Sequence, residues 1–145
     1  MSITIKSHSG KYSVKIIKKI DQKNLKKDNN FYIIDSSVYK IFFKKKLSKN
    51  LILINSSEKK KDYFEIGKIM KKLILVGIKR NSNLIAIGGG IIQDITGFIA
   101  SIIFRGINWT FYPTTLLAQG DSCIGGKTSV NFGIAKNKLG NFYPP

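Results

Sequence analysis

The chain has 145 residues, 43% of them hydrophobic, with 25 Lys and Arg against 8 Asp and Glu and a formal net charge of +17. That apolar content excludes a disordered chain and suits one domain with a real core, while the charge points first to nucleic acid or an anionic membrane surface. The charge is concentrated in one part: residues 1–81 hold 21 basic and 6 acidic side chains and residues 82–145 only 4 and 2, so the glycine-rich part is nearly neutral.

In chain order, KYSVKII (11–17) alternates as a half-buried strand does, and residues 2–6 can pair with it. FYIIDSS (31–37) predicts a buried strand ending at Asp35, followed by a helix to about Phe43. LILIN (51–55) reads as a second buried strand, stopped by SSE. From Lys61 to about Leu75, Phe64, Ile66, Ile69, Met70 and Leu73 recur at helical spacing between lysines, which predicts an amphipathic helix. LIAIG (84–88) is a third strand, residues 91–103 a largely buried helix, and WTFYP (109–113) a fourth strand, after which TTLLAQGD opens another turn or helix. Apolar strands alternating with helices imply an α/β fold, a Rossmann-like, mostly parallel sheet covered on both faces. Ligands of such sheets bind beyond the carboxyl ends of the strands. Asp35, SSEKKK, GGG and PTT fall at those ends.

Among the basic residues only Arg80 and Arg105 are arginines. Lysines scattered among Asn and Ile fit solvated faces, whereas nucleic-acid readers lean on the bidentate guanidinium. The expectation is therefore no nucleic-acid partner. The single cysteine, Cys123, has no internal partner for a disulfide, which fits a reducing cytoplasm, and the N-terminal MSITIKSHSGKYS has no apolar export segment. Residues 84–104 approach the ~20 apolar residues that span a bilayer. Three glycines interrupt them, and Asp94 near the centre would cost about 3 kcal/mol on insertion scales. A buried strand, a glycine turn and a buried helix account for the segment without a membrane.

Two clusters carry chemistry. IAIGGGIIQDITGF (85–98) leads a strand through Gly88, Gly89 and Gly90 into a helix, which brings backbone N–H groups and a helix N-terminus to an anion such as a pyrophosphate. A tight structural turn is the alternative, since G-x-G-x-x-G fails at Gln93, and Asp94 also suits a helix N-terminus on charge alone. PTTLLAQGDSCIGGKTSVN contains GGKT, but the P-loop pattern needs glycine at Asp121, and Gly120 is one residue too early. A glycine turn presenting Lys127 near Asp121 remains, suited either to a phosphorylated substrate or to a surface salt bridge.

Taken in order, GGGIIQDITGFIAS, FRGINWTFYPTTLLAQGDSCIGGKTSVN and AKNKLGNFYPP resemble the 3-dehydroquinate synthase family of sugar-phosphate cyclases, whose pattern reads GGG-x-x-x-D-x-x-GF, RG, PTTLLA-x-x-DSS-x-GGKT, V-N and KN-x-x-G-x-F. The resemblance implies the N-terminal domain of a dehydroquinate-synthase-like fold over residues 1–145, with the C-terminal helical domain absent from this chain. It implies bound NAD and a heptulosonate phosphate, a phosphorylated sugar acid, that is oxidised, loses phosphate, is reduced again and closes to 3-dehydroquinate. Asp35 would hold the adenosine ribose, with Glu58 and Lys61 along the nucleotide. Gly89, Gly90 and Ile91 would lie under the pyrophosphate, Asp94 beside the nicotinamide ribose, and Thr114 and Thr115 would complete the cofactor site. Asp121, Lys127, Lys136 and Asn137 would bind the substrate, and Arg105 would reach a phosphate across the interface of a homodimer.

The family's divalent metal, zinc or cobalt, is held by one Glu and two His of the helical domain, and His8, the chain's one histidine, is expected to be exposed in an N-terminal arm. No metal site is therefore expected within these residues, and no turnover by them alone. Gln93 replaces a glycine common in the family, Cys123 a serine, and Phe132-Gly133 the His-Pro pair usual after the asparagine. These departures bear on the substrate more than on the cofactor. Another sugar-phosphate cyclase or a metal-dependent polyol dehydrogenase is thus one alternative, and a non-catalytic basic binding module another. Loss of the second domain is expected to expose apolar surface on residues 91–103 and around Trp109 and Phe111.

Overall fold

The computed structural model describes residues 2–7, 10–21, 25–43 and 47–145; His8 lies outside them. In chain order the elements are β1 (Ser2–Ser7), β2 (Gly10–Lys15), β3 (Asn30–Asp35), α1 (Ser36–Phe42), β4 (Leu51–Ile54), α2 (Tyr63–Leu75), β5 (Asn83–Gly88), α3 (Gly90–Ile102), β6 (Asn108–Pro113), β7 (Lys127–Phe132) and β8 (Ala135–Phe142). β1 and β2 pair antiparallel as their alternation predicts.

The central sheet has the order β4-β3-β5-β6, and every pairing in it is parallel. β3 and β5, at its centre, alternate cleanly between two cores. Phe31, Ile33, Leu84 and Ala86 face a cluster with Ile66, Leu73, Ile95 and Ile99 from α2 and α3. Tyr32, Ile34, Ile85 and Ile87 face a second cluster with Leu25, Phe43 and Leu47, flanked by Val38 and Tyr39 of α1. Burial on both faces is why these strands read as unbroken apolar runs. The helices divide between the faces because β3 steps to β4 on one side, whereas β4–β5 and β5–β6 step the other way, and right-handed crossovers then place α1 opposite α2 and α3.

Three local expectations need correction. β4 is an edge strand, so Leu53 is 46% exposed and only Ile54 is fully buried. Phe64 points outward at the start of α2, where the Asp62 carboxylate caps the helix by accepting from the Phe64 amide at 3.0 Å. Residues 127–142, for which the sequence offered motifs but no element, form the β7–β8 hairpin. The hairpin lies on α3, where an added Cβ at Gly97 would stand 2.5 Å from Thr128 Cγ2 and 3.1 Å from the Trp109 ring. Glycine at 97 thus lets helix, strand and hairpin close up.

The candidate dinucleotide and substrate site

Strands β3 and β5 are neighbours whose crossovers leave toward opposite faces, which opens a crevice at their carboxyl ends, the topological switch point. The chain puts Asp35 on one lip and Gly88, Gly89 and Gly90 on the other. Asp35 is the N-cap of α1, and its Oδ1 accepts from the amides of Ser37 (2.8 Å) and Val38 (3.1 Å). Burial pushes its pKa up, but the neighbouring Ser56 hydroxyl and the amides of Val38, Ser37 and Ser56 outweigh this and leave it below the ordinary value. An ionised acceptor results.

Across the crevice α3 starts at Gly90 with no side-chain cap, so its first amides are free of local acceptors and its positive dipole end points at the opening. The three glycines differ in what they can bear. A Cβ at Gly88 would meet Ile92 at 2.5 Å and one at Gly89 would meet Thr115 Cγ2 at 3.0 Å, whereas at Gly90 the nearest atom is Ser122 Oγ at 3.8 Å. Gly88 therefore serves packing, and Gly90 borders open space. Thr114 donates its amide to the Gly88 carbonyl at 2.9 Å, and its hydroxyl is buried without a partner. The Thr115 hydroxyl is engaged as a cap, accepting from the Ala118 amide at 3.2 Å.

Beside this lip lies a charged network. Lys61, at the end of the 3₁₀ turn Glu58–Lys61, is only 5% exposed. Its Nζ donates to Asp94 Oδ2 at 2.7 Å and to Asn137 Oδ1 at 2.8 Å. Asp94 Oδ1 accepts from the Ser129 amide at 3.2 Å. Burial raises the Asp94 pKa more than Lys61 and that amide lower it, so the carboxyl stands above its ordinary value. Asn137 reaches the network through a β-bulge. Val130 pairs with Leu139 and Phe132 with Ala135, so residues 136–138 oppose Asn131 alone. Asn137 there adopts φ 53°, and its amide donates to Asn131 Oδ1 at 2.9 Å. Bulges re-aim side chains in this way.

The remaining candidates are arranged less tightly. Glu58 is exposed, and its carbonyl accepts from Asn131 Nδ2 at 3.4 Å. Ile91 is half-buried in the first turn of α3. Asp121, Lys127 and Lys136 are all exposed. The ion pairs among the described residues are Lys60–Glu65, Lys61–Asp94 and Lys68–Glu65, so Asp121 and Lys127 do not pair and the surface salt bridge does not form. Arg105 sits past the far end of α3, a helix of 13 residues, hence about 20 Å from the glycines, and within one chain it does not join the site. Ser129, Asn131 and Gln93 belong to the site's framework without having been singled out for it. Asn131 had a signal in the V-N pair; Ser129 had none.

Fold and site together define a doubly wound α/β domain with an anion-receptive crevice at its switch point. Residues 51–145 match the family described as 3-dehydroquinate synthase N-terminal, and the chain belongs to that family. It is 39% identical to the 3-dehydroquinate synthase of Dictyoglomus turgidum, over 99% of this chain and 42% of that protein. The Buchnera aphidicola subsp. Cinara cedri enzyme of the same name is 45% identical over 88% of this chain and 32% of its own length. The chain thus spans less than half the length of these relatives. Among solved structures it is similar to 2-epi-5-epi-valiolone synthase from Streptomyces hygroscopicus subsp. jinggangensis with NAD+ and Zn2+ bound, with TM-score 0.71 and 26% identity, covering 92% of this chain and 43% of that one. It is also similar to 2-deoxy-scyllo-inosose synthase complexed with carbaglucose-6-phosphate, NAD+ and Co2+, with TM-score 0.70 and 27% identity, covering 80% and 34%.

Proposed function

We propose that this chain is the NAD-binding part of a 3-dehydroquinate synthase, an enzyme that cyclises a heptulosonate phosphate with loss of phosphate. The observation that carries the reading is the uncapped N-terminus of α3 facing an ionised Asp35 across the switch point, with the unpartnered Thr114 hydroxyl beside it. These residues fit a dinucleotide. Free amides at Gly89, Gly90 and Ile91 suit a pyrophosphate, and an ionised carboxylate suits a ribose diol. Relatives of that name at 39% and 45% identity favour this substrate over those of the cyclases at 26% and 27%.

In this reading Asp35 orients the adenosine ribose, with Glu58 along the nucleotide. Asp94, held by Lys61 and the Ser129 amide, faces the nicotinamide ribose, and Thr114 and Thr115 close the cofactor site. Bound NAD would supply reversible hydride acceptance at one carbinol carbon of the substrate. Asp121, Lys127, Lys136 and Asn137 hold the substrate's hydroxyls and carboxylate against that face, lysines meeting anions. Arg105, remote within one chain, contributes to a phosphate site from the second subunit of a homodimer. Among the described residues no three His, Cys, Asp or Glu side chains gather as a metal site, so the zinc or cobalt ligands are assigned to a further domain, and no step is drawn through the metal. The chain by itself is accordingly proposed to be inactive.

The test is NAD affinity by calorimetry. Gly90→Val adds its Cβ where only Ser122 Oγ lies within 4 Å, so the variant should fold and lose at least about tenfold in affinity by obstructing the phosphates. Unchanged affinity in a folded variant sinks the site. A gel shift with nucleic acid that persists at physiological salt, where weak lysine contacts are screened, would instead favour a basic binding module.

A further inference from the structure

Gln93 is a buried polar side chain in the first turn of α3, and the structure gives it a partner. It is the fourth residue of α3, 4% exposed, with its amide donating to the Gly89 carbonyl at 3.1 Å. Its side-chain Nε2 donates to the carbonyl of Ser122. Ser122 ends a π-helical turn, Ala118–Ser122, that carries Asp121.

That turn has little else to hold it. Ala118 is its one buried residue, while Gln119, Gly120 and Asp121 are exposed and Leu116 and Leu117 before it are 88% and 74% exposed. Its other hydrogen bonds are local: the amides of Ala118 and Gln119 to the hydroxyl and carbonyl of Thr115 at 3.2 and 3.0 Å, Cys123 to the carbonyls of Ala118 (amide, 3.0 Å) and Gln119 (thiol, 3.2 Å), the Ile124 amide to the Asp121 carbonyl at 3.1 Å, and Gln119 Nε2 to the Pro113 carbonyl at 3.2 Å. Single-turn π segments are rare and are frequent at functional sites. The Gln93 contact is the hydrogen bond that ties the turn to α3.

Glutamine here is a poor stabiliser. Gln93 Oε1 and Ser122 Oγ are both buried without partners, and an unsatisfied buried oxygen carries a desolvation cost that an apolar side chain of similar volume avoids. We propose that Gln93 is a positioning residue, a latch between the cofactor-side helix α3 and the substrate-side turn that carries Asp121. The assignment of those two sides rests on the function proposed above; the latch itself rests on the contact.

The test compares the parent chain with Gln93→Met and Gln93→Ala by amide hydrogen exchange over residues 118–124, alongside thermal melts and NAD calorimetry. Gln93→Met should melt at or above the parent temperature, keep NAD affinity within about threefold, and exchange the Cys123 and Ile124 amides about fivefold faster, the size of one lost hydrogen bond. Gln93→Ala should show the same local acceleration. Unchanged exchange over the turn in a folded variant overturns the latch, as does acceleration spread over the whole chain with a lower melting temperature, which would make Gln93 a packing residue only. The exchange comparison needs no NAD, so it stands or falls apart from the cofactor reading.

Discussion

Among the described lysines only Lys61 is buried, and it is the residue on which the charged network depends. Removing one partner of a buried pair leaves the other uncompensated, at about 3 kcal/mol. Lys61→Met should therefore lower stability by about 3 kcal/mol near pH 7, and Asp94→Leu placed on top should recover most of it, measured by urea denaturation. The pH dependence follows from the sign of the Asp94 shift. Its folded pKa lies above the ordinary 3.8, so the stability linked to its protonation is fully present below 3.8 and is lost as pH rises through the folded value. Without Lys61 that folded value climbs further. The penalty of Lys61→Met should then shrink in acid and grow toward neutrality. Asp35 behaves oppositely. Its folded pKa is depressed, so its contribution is present above 3.8 and lost as pH falls through the lower folded value.

At the level of elements, α3 joins everything: its N-terminus borders the crevice, its body covers β5 and β6, and β7 lies along it. Gly97 is the point of closest approach, and Gly97→Ala should cost about 2 kcal/mol by overpacking. Thr128→Ser removes the Cγ2 methyl that the new Cβ would meet at 2.5 Å and should return part of that loss in a chemical-denaturation cycle. Residues 91–103 were legible as a largely buried helix, because eight of the residues of α3 are buried in an almost unbroken run, and a helix that is apolar nearly all round is a buried one. The β7–β8 hairpin was not. Its strands face α3 on one side only, β8 is almost wholly exposed, and the GGKT and KN motifs draw the eye to chemistry over the alternation. The Asn137 bulge was equally hidden, since it exists only relative to Asn131 across the ladder.

For the whole molecule, the expected apolar surface on residues 91–103 and around Trp109 and Phe111 is mostly internal: Ile92, Ile95 and Ile99 are 0% exposed and Trp109 4%, Phe111 is half-buried, and Ile102 faces outward. Among the apolar groups that face outward are Leu116 and Leu117 beside the crevice, and Tyr63, Phe64 and Phe132, which contact one another where α2 meets the hairpin. Contiguous exposed apolar surface favours association. Light scattering should find the chain self-associating despite its charge of +17, and Phe64→Ser with Phe132→Ser should shift it toward monomer. A monodisperse parent would overturn the expectation. No helix among the described residues is long and apolar enough to cross a membrane; the apolar run at 84–104 is β5, a glycine turn and α3.

The sequence by itself determined the order of strands and helices as far as β6, the two-sided burial of β3 and β5, and the place of Asp35, Gly89 and Gly90 just at or beyond the carboxyl ends of strands, because each is written in a local apolar run or where that run stops. Only the tertiary structure decided how Lys61, Asp94, Ser129 and Asn137 combine, that Asp121 and Lys127 stay apart, and that Arg105 lies at the far end of α3. Local patterns record which face a side chain turns to. They do not record which distant segment is folded onto that face, and 76 residues separate Lys61 from Asn137.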